Sequence, residues 1–241
     1  MGKPGQAVAS RPIALMPMPY RLLTKMRMHY ITAWEVSNTG PWDAALKGSS
    51  ALRAAVLSAF WDEQKVLDGN MVATILWDME KFYDLMKPLE HISAARTQGF
   101  PKRTFVIALL FHYSPKHLRA HGCYARPAHP YISICAGCRH GHDFTKLYFF
   151  EVIKDMYATY PDYHIKTYFD DVTLRATNTS KKVLVAGTVV ATARLASSLK
   201  GIGCSLATKP AIVASARELG VEVAECLRAL KILSLIHISE P

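Results

Sequence analysis

The sequence lacks any apolar run long enough to cross a bilayer. Its longest ones, 105–111 and 183–190, are far shorter than the roughly 20 residues that a membrane-spanning helix needs. The start of the chain lacks the order of charged, apolar and small residues that is typical of a secretory leader, and Gln6 stands where a myristoylated N-terminus has Ser or Thr. We therefore expect an intracellular protein of the nucleus or cytoplasm, not secreted and without a membrane partner.

Cysteine is scarce, and no residue type dominates the composition. Five cysteines, an odd number in a chain of 241 residues, indicate reduced thiols inside a cell. Glycine and proline number 13 each, while 50% of the residues are hydrophobic and 20% are charged. These proportions exclude collagen, a coiled coil and wholesale disorder, and they indicate no particular oligomeric state.

Acidic residues are the minority among the charged ones. There are 19 Asp and Glu against 29 Lys and Arg, which gives a net charge of +10. This balance favours a polyanionic partner such as nucleic acid. One basic stretch could follow a phosphate backbone or simply form an exposed loop: His112, Lys116, His117, Arg119, His121, Arg126 and His129.

Short apolar and alternating runs predict a mixture of helices and strands. Two strand-like runs, 163–169 and 172–174, predict a hairpin with Asp170 and Asp171 at its tip. Other strands are predicted at 71–77, 131–135 and 211–214. Helices are predicted at about 15–30, after Ser49 or Ser50 to before Gly69, from Pro88 to before Gly99, at 144–160 and at 188–199. The segment 99–130 is predicted to be irregular and exposed, apart from the apolar run at 104–111.

Three carboxylates are the candidate chemical site. Asp170 and Asp171 are adjacent, and Asp78 follows the predicted strand 71–77. Like charges this close repel each other unless a cation lies between them, and carboxylate oxygens suit Mg²⁺. Two-metal phosphoryl transfer uses such a cluster, whereas the simpler alternative is a pair of solvated turn residues.

Several motifs resemble those of reverse transcriptases, specifically the enzymes of non-LTR retrotransposons. Tyr168-Phe169-Asp170-Asp171 matches the family's signature of a tyrosine, any residue and two aspartates, and the segment 76–84 resembles the first palm motif with Asp78 as its metal-binding aspartate. The remaining motifs occur in family order at 11–13 with 20–23, at 137–141 with Thr145, and at 201–215.

The resemblance implies an α+β fold: the fingers and palm of a right-hand polymerase, with an antiparallel palm sheet, packed helices and a missing thumb. It implies a truncated fragment with fingers at 1–66, the first palm motif at 67–98, a basic fingers or palm segment at 99–130 and further palm at 131–232.

The implied activity is RNA-directed DNA synthesis from deoxynucleoside triphosphates, with an RNA template, a DNA primer and two Mg²⁺ ions, for which Mn²⁺ could substitute. Asp78 and Asp170 would bridge the metals, Asp171 would support them, and Lys209 would protonate the leaving pyrophosphate. The implied substrate-binding residues are Arg11, Tyr83, Gly137, His140 and Gly141.

Three alternatives remain at this point. A viral-type RNA-dependent RNA polymerase usually has an acid five positions after the first aspartate, where this chain has Tyr83. A decayed, inactive retroelement copy that only binds nucleic acid is favoured by His140, which replaces the family's glutamine, and by the bulky Trp77 before Asp78. A zinc module would use Cys135, Cys138, His140 and His142, but eight residues scarcely enclose a tetrahedral ion.

The last nine residues, 233–241, match codon for codon the conceptual translation of a transposase sequencing adapter. We therefore expect this tail to be non-biological and without a role in the fold, and the true reading frame to continue past Ile232.

Overall fold

The structure is a computed structural model that describes residues 16–46, 48–117, 119–135, 137–207, 210–232 and 237–239. The helices within these ranges are α1 (Met18–Met26), α2 (Met28–Asn38), α3 (Ala51–Leu67), α4 (Phe82–Leu85), α5 (Pro88–Thr97), α6 (Lys102–Tyr113), α7 (Gly141–Thr159), α8 (Lys181–Gly201) and α9 (Arg217–Ala229). The strands are β1 (Met71–Trp77), β2 (Met79–Glu80), β3 (Arg119–Ala120), β4 (Cys123–Tyr124), β5 (His164–Tyr168), β6 (Asp171–Asn178), β7 (Ser205–Leu206), β8 (Ala211–Ala214) and β9 (His237–Ser239).

The chain forms two compact units, each made of two stretches. The first unit consists of Met1–Ser37 and Tyr83–Phe144, and the second of Asn38–Phe82 and Thr145–Pro241. The larger sheet belongs entirely to the second unit, and the β3–β4 hairpin to the first. The fold is α+β, as predicted, while the ranges assigned to fingers and palm stay predictions.

The second unit is built on a five-stranded sheet in the order β5-β6-β1-β8-β9. The β5–β6, β6–β1 and β1–β8 pairs are antiparallel, and β8–β9 is parallel. Side chains alternate between the two faces, as strands require. One face is the apolar core against which α8 and α9 pack, and its central row consists of Ile165, Leu174, Ile75 and Ile212, each no more than 1% exposed.

Helix α8 is long and apolar enough to cross a membrane by length and composition alone. It nevertheless packs on β1 and β6 and buries nine of its side chains, among them Leu184, Leu195 and Leu199. Burial of this kind is typical of the core helix of a globular domain, and we interpret α8 in that way.

The first unit has an aromatic core. Phe100, Phe105 and Phe144 meet with ring centroids 5.8–5.9 Å apart, and the buried rings of His91 and His112 contact Phe144 edge-on. Burial lowers the pKa of His91 to about 3 and that of His112 to about 4, so both rings are neutral at physiological pH.

Most predicted elements are confirmed. β1 and β8 have the predicted bounds, α5 begins at Pro88, and the Ser50 side chain accepts a hydrogen bond from the backbone N–H of Arg53 at the start of α3. Helix α8 begins at Lys181, seven residues before the predicted start at Thr188.

Two predictions about the segment between Gly99 and Cys135 are wrong. Residues 102–113 form the regular helix α6, within which the prediction singled out only an apolar run. Residues 131–135 form no strand, because Ser133 and Ile134 donate their backbone N–H groups to Met86 and Tyr83 instead of to a neighbouring strand.

In the tail, the backbone of His237–Ser239 pairs with Ala211–Val213 as the edge strand β9. The other tail residues lie outside the described ranges. That the tail has no role in the fold stays a prediction.

Candidate active site

Asp78 directly follows the last residue of β1, where β1 pairs with β6. Trp77 is opposite Val172 in the register, so Asp78 lies at the same end of the sheet as Asp171, the first residue of β6. The two residues are far apart in the sequence, and antiparallel pairing brings them together. The neighbouring strands β1 and β6 therefore place both acids at one end of the sheet.

Asp170 lies in the tight turn of the β5–β6 hairpin. Tyr168 pairs with Asp171, so Phe169 and Asp170 alone make the connection. Phe169 has a left-handed backbone, with φ of 56°, which is uncommon for a bulky aromatic residue. Such strain is held in place by the surrounding structure and is found often at functional sites.

The three acids interact electrostatically. The pKa of Asp171 is raised above its ordinary value of 3.8, first by burial and then by the negative charges of Asp170 and Asp78. Ionised together, the three carboxylates repel each other.

The acids suit a magnesium ion by their chemistry, since carboxylate oxygens are its preferred protein ligands and a cation would relieve their repulsion. No three Asp, Glu, His or Cys side chains in the described ranges are gathered closely enough to hold a metal by themselves. Magnesium typically keeps several waters and uses substrate phosphates as further ligands, so it does not need a cage made only of protein groups.

Asp78 and Asp171 line a cavity of about 890 Å³ within the second unit. Its floor is the sheet face opposite the α8–α9 core, and residues of α3 form one wall. Clefts of about 300–1,000 Å³ are usual for small-molecule and cofactor sites. The cavity has room for a nucleotide beside the two acids.

Basic side chains line the cavity on the same face as these acids. His164 and Lys166 alternate along β5 toward Tyr168, and Arg175 is paired with His164 across the strands. Burial lowers the pKa of both His164 and Lys166, and the positive charge of Arg175 lowers both further. Sequence reasoning missed these residues, although the alternation of polar and apolar residues in His164–Tyr168 was a usable signal.

Arg175 connects the sheet to α3. Its Nε lies 2.7 Å from Asp62 Oδ1 and donates a hydrogen bond to Thr74 Oγ1 at 3.2 Å, while its Nη2 donates to Asp62 Oδ2 at 3.2 Å and to Ser58 Oγ. The residue is only 6% exposed. Burial raises the pKa of Asp62, and Arg175 counteracts that rise. This network fixes one wall of the cavity.

Tyr83 and Gly141, two predicted substrate-binding residues, are neighbours in the first unit. A Cβ atom at Gly141 would lie 3.5 Å from the Tyr83 ring. Gly137 is exposed and has φ of 97°, a conformation that favours glycine. The structure therefore brings the Tyr83 ring to the end of the 137–141 turn.

His140 is fully buried in the structure. Its Nδ1 lies 3.1 Å from Asp143 Oδ2, and the ring adjoins Phe144. Contact between His140 and a nucleotide would require this ring to become exposed. The two remaining predicted site residues, Arg11 and Lys209, lie outside the described residues.

Three of the four residues of the zinc alternative contact other side chains. Cys138 is buried, which raises its thiol pKa, and its Sγ is hydrogen-bonded to the Tyr20 hydroxyl at 3.3 Å. His140 is bonded to Asp143, and His142 lies 4.0 Å from Glu35. Because zinc binds thiolate and free imidazole nitrogens, these contacts do not favour a zinc site.

The described structure is similar to telomerase from Candida tropicalis. It matches the apo enzyme with a TM-score of 0.52 and 12% sequence identity, over 78% of this chain and 35% of that chain. It matches the same telomerase in complex with the TWJ fragment of telomeric RNA with a TM-score of 0.53 and 10% identity, over 78% and 32%. The fold is reverse-transcriptase-like. The sequence matches no protein-family model and no curated protein.

The reverse-transcriptase-like fold covers most of this chain, and the chain spans about a third of the telomerase chains that it matches. At 10–12% identity the similarity is one of fold.

Proposed function

We propose that this protein is an RNA-directed DNA polymerase of the non-LTR retrotransposon type. It would extend a DNA primer on an RNA template, using deoxynucleoside triphosphates, inside the cell in the nucleus or cytoplasm. The observation that carries the proposal is the antiparallel pairing that brings Asp78 to the Asp170–Asp171 turn at the edge of a nucleotide-sized cavity. The reverse-transcriptase-like fold and the order of the sequence motifs support it.

Asp78 and Asp170 would hold two Mg²⁺ ions, and Asp171 would support them; Mn²⁺ could replace Mg²⁺. When bound, the ions would activate the primer hydroxyl and stabilise the leaving pyrophosphate. The carboxylates themselves would hold the ions at the strand ends, and the repulsion among them makes a cation favourable there. Lys209 would donate a proton to the pyrophosphate.

Tyr83 would select the sugar of the nucleotide, with Gly137, His140, Gly141 and Arg11 completing the substrate site. An aromatic ring five residues after Asp78 would clash with a ribose 2′-hydroxyl. The Tyr83→Val variant should therefore accept ribonucleotides while deoxynucleotide incorporation is retained. Incorporation of both nucleotide types is measured by primer extension, and unchanged discrimination would contradict the role of Tyr83.

Primer extension also tests the proposed activity. The purified protein should extend a labelled DNA primer on an RNA template when Mg²⁺ is present, and Asp78→Asn and Asp170→Asn should each abolish extension. Asp162→Asn is a matched control, because Asp162 is an exposed acid in the turn before β5 and lies outside the cluster. No extension by the wild type, or equal extension by Asp170→Asn, would contradict the proposal.

The second candidate is a decayed copy that binds nucleic acid without catalysis. The burial of His140, at the position where the family has glutamine, favours it. A wild-type protein that binds the primer–template without extending it would support this candidate.

A further inference from the structure

The stretch between Glu90 and Asp143 contains no acidic residue. These 52 residues include seven Lys and Arg and seven His, so they carry most of the chain's net charge of +10. Part of this acid-free stretch forms a hairpin in the first unit. The hairpin runs from Lys116 to Ala128, with Leu118 outside the described residues, and we refer to it as the basic hairpin.

The basic hairpin has a defined backbone. Lys116 and Ala128 exchange two backbone hydrogen bonds of 2.8 and 2.9 Å, and β3 pairs with β4 further out. The turn residues His121 and Gly122 both have positive φ, at 48° and 81°, as tight hairpins with two-residue turns require. The described residues of the hairpin therefore have regular antiparallel pairing.

The base of the basic hairpin is attached to α6. The Lys116 ammonium donates a hydrogen bond of 2.5 Å to the Phe111 carbonyl and lies 4.4 Å from the centre of the Phe111 ring. This contact uses one cation of the hairpin for structure.

The outer part of the basic hairpin presents rings and cations to solvent. Every residue from His121 to His129 is exposed, including Arg126. Tyr124 is 68% exposed, and Tyr131, three residues beyond the hairpin, is 84% exposed. Exposed aromatic rings beside basic side chains, with no acid between them, are what single-stranded nucleic acid requires: the rings stack on unpaired bases while the cations follow the phosphates.

We propose that the basic hairpin, together with Tyr131, is a docking surface for single-stranded RNA, with Tyr124 and Tyr131 stacking on bases and Arg126 contacting a phosphate. This inference rests on the proposed function for its choice of RNA, since the unpaired template strand is the single-stranded partner of an RNA-directed polymerase. Duplex RNA should bind this surface less tightly than single-stranded RNA, because its bases are already stacked on one another and cannot stack on the tyrosine rings.

Binding of a fluorescein-labelled oligouridine, measured by anisotropy in EDTA and without nucleotides, tests the proposal. Tyr124→Leu and Tyr131→Leu should each weaken binding by roughly five- to a hundredfold, and Tyr→Phe at either position should restore it. Arg126→Ala should lower the slope of log K against log salt concentration by about 0.7. All three side chains are exposed, so the variants should fold.

Two matched controls separate the basic hairpin from general surface effects. Tyr30→Leu removes a tyrosine of α2 that is 51% exposed, and this variant should bind oligouridine as the wild type does. Lys182→Ala removes an exposed cation of α8, and it should leave the slope of log K against log salt concentration unchanged.

Alkylation of Cys123, the exposed cysteine of β4, gives a local measurement of binding at the basic hairpin. Bound RNA should slow the reaction of this thiol with iodoacetamide.

Wild-type affinity in the Tyr124→Leu/Tyr131→Leu double variant would overturn the proposal. So would unprotected Cys123 under saturating oligouridine, or an equal loss of affinity for duplex RNA. Because no metal or nucleotide is present, failure of catalysis cannot cause any of these results. Conversely, a protein that binds oligouridine through the basic hairpin but does not extend a primer would count against the proposed function alone.

Discussion

Ionised Asp171 bears an electrostatic cost in the folded protein. Its neighbours Asp170 and Asp78 raise its pKa above 3.8, in addition to the effect of burial. A carboxyl whose pKa is higher in the folded than in the unfolded protein binds its proton more tightly when folded. Ionisation of Asp171 therefore lowers the free energy of unfolding as the pH rises above 3.8.

We expect Asp171→Asn to raise the melting temperature at neutral pH, because the amide removes one charge from the cluster. The gain should disappear well below pH 3.8, where Asp171 is protonated in both the folded and the unfolded state. Thermal melts across this pH range measure the effect, with Asp162→Asn as the control. A melting temperature lowered equally at every pH would show that Asp171 is structural.

Arg175 should contribute strongly to stability. Arg175→Met leaves Asp62 without its cation and removes the hydrogen bonds to Ser58 and Thr74. Breaking a buried ion pair typically lowers the free energy of unfolding by about 3 to 5 kcal/mol. We expect a somewhat smaller loss here, because the Asp62 side chain is 28% exposed.

The matched control for Arg175→Met is Arg194→Met, since Arg194 pairs with Asp155 at 3.2 Å on the surface and such pairs contribute at most about 1 kcal/mol. Urea denaturation of both variants gives the comparison. A smaller loss for Arg175→Met than for Arg194→Met would contradict the importance of this network.

Among the elements, those with strong local signals were predictable from the sequence. The apolar run of β1, the Ser50 cap of α3 and the two runs around Asp170 each satisfy a local rule of helix or strand formation. The strand predicted at 131–135 is absent, although the apolar residues of this segment resemble a strand. Its backbone N–H groups donate hydrogen bonds to the carbonyls of Tyr83 and Met86. Such partners are distant in sequence, so no local pattern reveals them.

The acids of the candidate site could likewise be predicted from local sequence signals, whereas the basic residues of the cavity could not. Asp78, Asp170 and Asp171 stood out because adjacent acids repel each other and because Asp78 follows a strongly apolar run. The basic residues of the cavity were missed because the pairing of His164 with Arg175 depends on the register of β5 against β6, which the sequence alone does not specify.

The edge strand β9 is the element on which the tail prediction depends. Deleting residues 233–241 should change the melting temperature by no more than about 2 °C, because a three-residue edge strand contributes few contacts and about 1 kcal/mol corresponds to roughly 2 to 4 °C in a protein of this size. Differential scanning calorimetry of the full and shortened chains measures this. A drop of several degrees would show that β9 belongs to the fold.

At the scale of the whole molecule, the charge is divided unevenly between the two units. The acids Asp78, Asp170 and Asp171 of the second unit lie at one end of the sheet, while most of the net charge of +10 lies in the acid-free stretch of the first unit. Affinity for nucleic acid and catalysis should therefore be separable. Substitutions in the basic hairpin should change binding, and substitutions of the acids should change extension only.

Every proposal about catalysis depends on one metal position shared by Asp78 and the Asp170–Asp171 turn. Iron(II) bound in place of magnesium, with ascorbate and peroxide, cleaves the backbone beside the ion. The cuts should fall near Asp78 and near Asp170, should disappear when excess Mg²⁺ competes, and should both be lost in Asp170→Asn. Cuts confined to one of these positions, or cuts that persist in Asp170→Asn, would contradict a shared metal site.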